Sequence, residues 1–325
     1  MPPSPAAFQP TRRRALGTLA MLAGLGSACG EPPRAGVAPA LDVAAFQQRR
    51  RFAATPSGEI AYVEQGNGPV ALFLHGVPLN GLHWRHVMAQ MQDLRRCIAL
   101  DLMGLGHTRI APQQDVSFTA QAQMVLQFLD ALGITQVDLV GNDSGGGIAQ
   151  IFAARHPERL RTLTLTNCDT HDNWPPASIR PAIELARQGV LVDRYAALFG
   201  QFDERARRLS NAYADARVLT EEVYRGYIEP LLATPQTRAA FHRYWTSFDP
   251  RHTVAVEPLL RRLQVPTLIV WALDDGFFDL RWAHWLRDTI PGAQRLVTVP
   301  GAKLFFPEDL PQDLVRPLRS FLAAA

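Results

Sequence analysis

Residues 137–150 read Val-Asp-Leu-Val-Gly-Asn-Asp-Ser-Gly-Gly-Gly-Ile-Ala-Gln, and this stretch limits the possible folds more than any other. Val137, Leu139 and Val140 give an apolar run of the buried-strand type, and the residues from Gly147 to His156 are helix-forming. Between them stands Gly141-Asn142-Asp143-Ser144-Gly145, with a glycine two before and two after a central acid. Glycines so placed let backbone close around a strained strand-to-helix turn. Such a turn lifts the central side chain above the sheet, at the positive end of the helix. The spacing makes Asp143 the candidate nucleophile or general base.

Three other readings of the segment compete. Gly-Asp-Ser-Gly-Gly also matches text around the nucleophile of chymotrypsin-like proteases, but here it follows a strand and opens a helix. A shift of one residue would centre the turn on Ser144, between Asn142 and Gly146, and Asn suits a crowded turn less well than Gly. Finally, Asp143 can serve as a plain helix cap, a role Asp fills well.

The chain has 325 residues, enough for one large α/β domain with an insertion, and its 47% hydrophobic and 19% charged content is that of a globular protein. Its formal charge of +3 is local: Arg12, Arg13 and Arg14 account for it, and no acid precedes Glu31. Nucleic-acid binding therefore has no charge argument. Residues 11–17 resemble a twin-arginine export signal, and a short apolar region follows at residues 15–28, too short to span a bilayer comfortably. Leu25-Gly26-Ser27-Ala28-Cys29 resembles a lipoprotein cleavage site, which would make Cys29 the lipidated first residue of the mature protein. The alternative is ordinary cleavage after Ala28 or within the Pro/Ala-rich stretch 31–40. The expected location is thus the periplasm or the cell envelope. Cys97 and Cys168 lie in or beside apolar runs, as buried thiols do, and nothing in their spacing implies a disulfide or a metal site.

Strand and helix patterns then alternate, as in an α/β sheet. The expected strands are 51–55, 60–65, 70–75, 97–101, 137–141, 162–167, 265–273 and 294–299, with helices at 82–92, 119–132, 146–156 and 280–289. The first two strands suit a hairpin around Thr55-Pro56-Ser57-Gly58. The alternation stops near Thr170 and amphipathic helical text runs to about Arg262. The expected organisation is an export signal at 1–29, a linker at 30–49, an α/β core at 50–169 and 263–325, and a helical cap at 170–262. Such a cap would lie over the carboxyl ends of the strands, where α/β sites form.

Several motifs in this order resemble the α/β-hydrolase fold over roughly residues 50–323. His75-Gly76-Val77-Pro78 after the third strand, with Trp84 beyond it, is similar to the corresponding text of haloalkane dehalogenases and epoxide hydrolases. Asp101-Leu-Met-Gly-Leu-Gly106-His107-Thr108 resembles the loop after the fourth strand, and the aspartate elbow resembles the branch with an Asp nucleophile. The resemblance implies a mostly parallel eight-stranded sheet flanked by helices. It also implies backbone oxyanion donors at Val77 and Ser144, which do not depend on side-chain identity. Asp275, in Val270-Trp-Ala-Leu-Asp-Asp275, matches the acid after the seventh strand, and Asp169 lies in a second acid slot after the sixth. Either acid also suits a loop-capping role.

The catalytic histidine of that family belongs after the eighth strand. Leu304 stands in its place, in Pro300-Gly-Ala-Lys-Leu304-Phe-Phe-Pro307, and the last histidine of the chain is His284. In Asp-nucleophile hydrolases this imidazole activates the water that cleaves the covalent ester, an effect worth about 10²–10⁴-fold. His171, beside Asp169, is the reserve candidate; His75 belongs to the HG loop and is expected to bond backbone there, and His107 occupies a loop position not usually directed at the nucleophile. Lys303, the only lysine, adjoins Leu304 and is a second reserve, although a stray solvent-facing lysine reads as well. The donors that grip a halide in dehalogenases, a Trp after the nucleophile and an Asn or Trp after the HG pair, are replaced by Ser144 and Val77. Cap tyrosines Tyr213, Tyr224, Tyr227 and Tyr244 suit either epoxide activation or packing.

The expectation is a hydrolase-like enzyme using Asp143 on a small apolar haloalkane, epoxide or ester-like molecule, with no cofactor and no metal. Its alternatives are a non-hydrolytic acid/base enzyme, an isomerase or lyase, and a non-catalytic binder that has lost the histidine. The expected partner is a small-molecule substrate; a membrane enters only through Cys29, and no oligomeric state is implied.

Overall fold

The computed structural model describes residues 40–173, 175–203 and 209–324. The expected export signal, Cys29 and the first half of the linker, residues 30–39, lie outside them. The described cysteines, Cys97 and Cys168, are free and buried.

All eight expected strands form, in one sheet: β1 (Arg51–Thr55), β2 (Gly58–Gln65), β3 (Val70–Leu74), β4 (Arg96–Leu100), β5 (Val137–Asp143), β6 (Leu160–Cys168), β7 (Thr267–Ala272) and β8 (Arg295–Val299). Their order is β1-β2-β4-β3-β5-β6-β7-β8. β1 and β2 pair as the expected hairpin, closing at Thr55 opposite Gly58, whose φ of 134° suits glycine. β2 is antiparallel to β4, and every pair from β4 through β8 is parallel. β3 and β5 are buried along their whole length, as strands covered on both faces are. β5 runs two residues further than its apolar core suggests, so that the sheet delivers Asp143 directly to the helix.

The helices are α1 (Val43–Gln48), α2 (Arg85–Met91), α3 (Phe118–Ala131), α4 (Ser144–Arg155), α5 (Arg180–Arg187), α6 (Leu191–Leu198), α7 (Glu221–Leu232), α8 (Pro235–Thr246), α9 (Arg251–Val254), α10 (Glu257–Leu260), α11 (Leu280–Thr289), α12 (Phe306–Asp309) and α13 (Pro311–Ala324). α1 corrects the linker reading of residues 43–48. Asp42 caps it by accepting from Ala45 N–H at 2.7 Å, and Val43 and Phe46 are buried. Gly226 on α7 makes room for it, since a Cβ there would lie 3.2 Å from Val43. α13, which no sequence pattern announced, buries Leu314, Leu318 and Leu322 and packs on α2.

Helices α5–α10 stand between β6 and β7, with no strand among the described residues of that stretch. They close over the sheet through a few long-range bonds. Tyr213 and Tyr227 donate to the two oxygens of Glu308, each at 2.7 Å. The Arg85 guanidinium bonds the same buried carboxylate. Asn80 Nδ2 donates to Gly226 O at 2.8 Å, and Phe305 N–H to Ala212 O at 2.8 Å. α8 lies against the loop after β4: a Cβ on Gly104 would lie 3.0 Å from Ala240 O and 3.4 Å from the Tyr244 Cβ.

Candidate active site

Asp143 has φ 53°, one of only two non-glycine residues with positive φ among those described. L-residues adopt that conformation at a cost, and it marks functional turns. The glycines around it are required by contact. A Cβ on Gly141 would lie 2.6 Å from Gly145 O, and one on Gly145 would lie 2.3 Å from Leu74 O. Asp143, and not Ser144, is therefore the apex of the turn. The plain capping role is also set aside: Asp143 precedes α4 but its side chain makes no capping hydrogen bond.

The carboxylate instead faces the loop after β3. Val77 N–H donates to Asp143 Oδ2 at 3.1 Å, and the Ser144 N–H also stabilises the charge. The two backbone groups expected as oxyanion donors thus hold the carboxylate itself. Burial outweighs them and lifts the Asp143 pKa to about 8, with the charge of Asp275 adding to the rise.

Asp275 reaches the site from the turn after β7. Its Oδ2 accepts from Asn167 Nδ2 at 2.8 Å and its Oδ1 from Phe277 N–H at 2.8 Å, so it also shapes its own turn. Burial raises its pKa to about 6 against these bonds. Asn167, in β6, completes the clamp: its Oδ1 accepts from Ala272 N–H at 2.7 Å. Sequence reasoning missed Asn167; the signal was an amide at the end of an otherwise apolar strand.

Asp169 sits beside Asp143. The register pairs Asp143 with Cys168, and Asp169 N–H donates to Asp143 O at 3.4 Å. Burial and the Asp143 charge hold its pKa well above the usual carboxylate range. Its Oδ1 is buried without a partner among the described residues. The hydroxyls of Ser144 and Tyr244 are buried as well, with no partner among the described residues beyond their interaction with each other. The Tyr244 phenol also feels the charges of both Asp143 and Asp169. Sequence alone could not choose Tyr244 from the four cap tyrosines; the structure commits Tyr213 and Tyr227 to Glu308 instead.

Of the reserve residues, His171 is engaged elsewhere. His171 has φ 47°, and its ring faces Glu257 at 2.9 Å through Nε2 and Asp172 at 3.3 Å through Nδ1, while packing on Trp285. Both nitrogens are thus taken up by carboxylates outside the elbow, and His171 is not brought to Asp143. Lys303 is half-buried on the loop after β8 and makes no ion pair among the described residues. Leu304 is buried, and its carbonyl accepts from Asn142 Nδ2 at 3.0 Å, which ties this loop to the elbow. His75 bonds Gly76 O through Nδ1 at 2.8 Å and accepts Leu102 N–H on Nε2 at 3.0 Å, with burial lowering its pKa to about 4. His107 donates its backbone N–H to Asp101 at 2.8 Å, and burial lowers its pKa to about 4 as well.

A cavity of about 400 Å³ is lined by the helical insertion and, from the core, by Pro78. Its lining is mostly aliphatic (Leu185, Leu191, Leu198, Ile228), with Arg194 the single cation among the described residues that line it. Pro78 is the neighbour of Val77. Among the described residues no group of three or more His, Cys, Asp or Glu side chains is arranged to hold a metal ion. Nor is any described helix long and apolar enough to cross a membrane.

Known proteins match this architecture along most of the chain. Epoxide hydrolase 3 of Xenopus tropicalis is 24% identical over 282 residues, covering 80% of this chain and 74% of that protein. Haloalkane dehalogenase 2 of Mycobacterium tuberculosis is 28% identical over 266 residues, covering 78% and 88%. A cis-3-alkyl-4-alkyloxetan-2-one decarboxylase of Xanthomonas campestris is 25% identical over 295 residues, covering 84% and 95%. The profile of the α/β hydrolase fold family matches residues 69–310, from β3 to the end of α12. With that match over an eight-stranded sheet and a strained elbow after β5, the chain belongs to the α/β hydrolase fold family.

Proposed function

We propose that this protein is a hydrolase-like enzyme in which the Asp143 carboxylate attacks an electrophilic carbon of a small, mainly apolar molecule held under the helical insertion. The observation that carries this reading is the aspartate at the strained apex with Oδ2 held by the Val77 N–H. One oxygen is anchored where an oxyanion would form, and the other is left to bond carbon. The aliphatic cavity beside Pro78 suits an apolar substrate. Relatives named for action on epoxides and haloalkanes agree with it.

Between those two chemistries, the buried polar groups favour an oxygen leaving group. Ser144 and Val77 offer a halide no side-chain N–H, whereas the Tyr244 hydroxyl is a buried proton donor beside the elbow. Epoxides and ester-like molecules therefore fit better than haloalkanes. Leu304 favours a second reading, in which Asp143 works as acid or base in an elimination or isomerisation and no ester has to be cleaved. The relative named as a decarboxylase is consistent with that route.

Intact-protein mass after incubation with 1,2-epoxybutane tests the first reading. Diol formation, or an adduct of the epoxide's mass on Asp143, is the expected result, and Asp143→Asn should show neither. Turnover that persists in Asp143→Asn would overturn it.

A further inference from the structure

An ester on Asp143 must be cleaved by water, and water needs a base. Of the imidazoles at the sheet's carboxyl ends, His75 is committed to Gly76 and Leu102 and His171 to Glu257 and Asp172. His107, whose buried Nε2 has no partner among the described residues, faces Asp101, Arg50 and Arg109 and not Asp143. What stands at the elbow instead is a second carboxyl group. Asp169 is 2% exposed, at the end of the neighbouring strand, with Oδ1 unpartnered among the described residues. Two further buried oxygens, Ser144 Oγ and Tyr244 Oη, lie beside these carboxyl groups with no partner among the described residues beyond each other. Buried polar atoms without partners are costly, and several converging on one point mark where a polar reactant is bound.

We propose that Asp169 is the proton-transfer residue of this site, acting as acid when Asp143 is alkylated and as base when the ester is cleaved. This rests on the reading of Asp143 as nucleophile. The groups facing Asp169 support a single shared charge. Asp143 lies across the strand ends, Tyr244 comes from α8, and Cys168 precedes it in β6. Gln150 of α4 bonds its backbone oxygen at 2.8 Å. No cation is among them, so two adjacent carboxylates cannot both stay ionised. Of the two, Asp143, which has the Val77 and Ser144 N–H groups, gives up its proton as pH rises towards 8, and the pair then carries one negative charge on Asp143 and one proton on Asp169.

The cycle closes without a further reactant. An Asp143 oxygen bonds an epoxide carbon, the ring C–O bond breaks, and the ring oxygen takes the Asp169 proton. Asp143 is now a neutral ester and Asp169 a carboxylate, free of the neighbouring charge that had kept it protonated. That carboxylate takes a proton from water as the water oxygen attacks the ester carbon, and the oxyanion forms on Oδ2 against the Val77 and Ser144 N–H groups. Collapse breaks the acyl C–O bond, and the leaving alkoxide takes the proton of the new carboxylic acid. The diol departs, leaving Asp143 ionised and Asp169 protonated, as at the start. Two carboxyl groups with separate acid and nucleophile roles operate on the same principle in retaining glycosidases.

Asp169→Asn removes the proton transfer and keeps the shape. Two probes separate its steps, because the ring oxygen of 1,2-epoxybutane needs a proton to leave and the bromide of 1-bromobutane does not. With the bromide, which leaves without a proton, Asp169 of the wild type releases its own proton to solvent once Asp143 is a neutral ester. The variant should form the Asp143 adduct at close to the wild-type rate and clear it about 10²-fold or more slowly. With the epoxide, adduct formation itself should slow. Asp169→Glu, which keeps the acid, should restore clearing in part and shift its pH profile. Circular dichroism and thermal unfolding establish that each variant folds. If Asp169→Asn clears adduct and turns over epoxide within about threefold of wild type, the assignment of Asp169 fails while that of Asp143 stands. A wild-type adduct that never clears likewise overturns the role of Asp169 and leaves Asp143 as the nucleophile. Neither adduct nor turnover in the wild type overturns both assignments.

Discussion

A Cβ at position 76 would sit 2.1 Å from Asp143 Oδ2 and 2.3 Å from its Cβ. The glycine before Val77 thus lets the Asp143 carboxylate approach the Val77 N–H. Gly76→Ala should push the carboxylate out of line and lower turnover by about 10²-fold, the usual cost of a displacement near 1 Å. The check is kcat/KM on 1,2-epoxybutane beside an unchanged far-ultraviolet circular dichroism spectrum. At this scale the site was largely legible. Asp143, Val77 and Asp275 follow from short motifs, because a strained turn and a strand-end loop impose local rules on glycine and acid. Asn167 and Tyr244 were not legible as site residues, because each acts on a group far away in sequence. His171 shows the converse: it is two residues from Asp169 in sequence, but Glu257 and Trp285 draw its ring away.

Among the elements, the junction of the helical insertion with the core rests on one buried carboxylate. Glu308 receives Arg85 from α2, Tyr213, and Tyr227 from α7, and the Arg85 charge holds its pKa at about 2 despite burial. Arg85→Met should leave that charge buried with only its tyrosine and histidine neighbours, destabilising the fold by about 3–5 kcal/mol. Urea unfolding at pH 7 measures it. The loss should narrow as pH falls from 4.5 towards 2, where even the wild type protonates Glu308 and loses the contribution of the pair. The strands were legible because their apolar runs and turns are local. α1 and α13 were not, because α1 is short, with only Val43 and Phe46 buried, and α13 carries Pro317 inside it.

For the whole molecule, buried titratable groups set opposite pH trends. His75, His86 and His107 fall to about 4 in the fold from 6.5, so between those values the unfolded chain binds more protons and rising pH favours the fold. Asp143, raised from 3.8 to about 8, and Asp275, raised to about 6, do the reverse, since the folded chain keeps their protons. Asp169 is raised as well. These trends offset one another between about pH 4.5 and 6.5. Above that the histidines no longer contribute, and stability should fall towards pH 8 at about 1.4 kcal/mol per pH unit for each carboxyl group still titrating. Urea midpoints at pH 6.5 and 8 measure the fall, and Asp143→Asn should flatten it. An equal decline in that variant would place the titrating groups elsewhere.

The sequence by itself determined the α/β alternation, the elbow and the identity of its apex residue. Each of those follows from periodicity or backbone conformation within a few neighbouring residues. Which polar groups meet at the apex was decided only by the tertiary structure. Asn167 bonds an acid 108 positions away, and Arg85 reaches a carboxylate 223 positions away. Partners so distant are chosen by the order of strands in the sheet and by where the inserted helices come down. No local pattern in the chain records either.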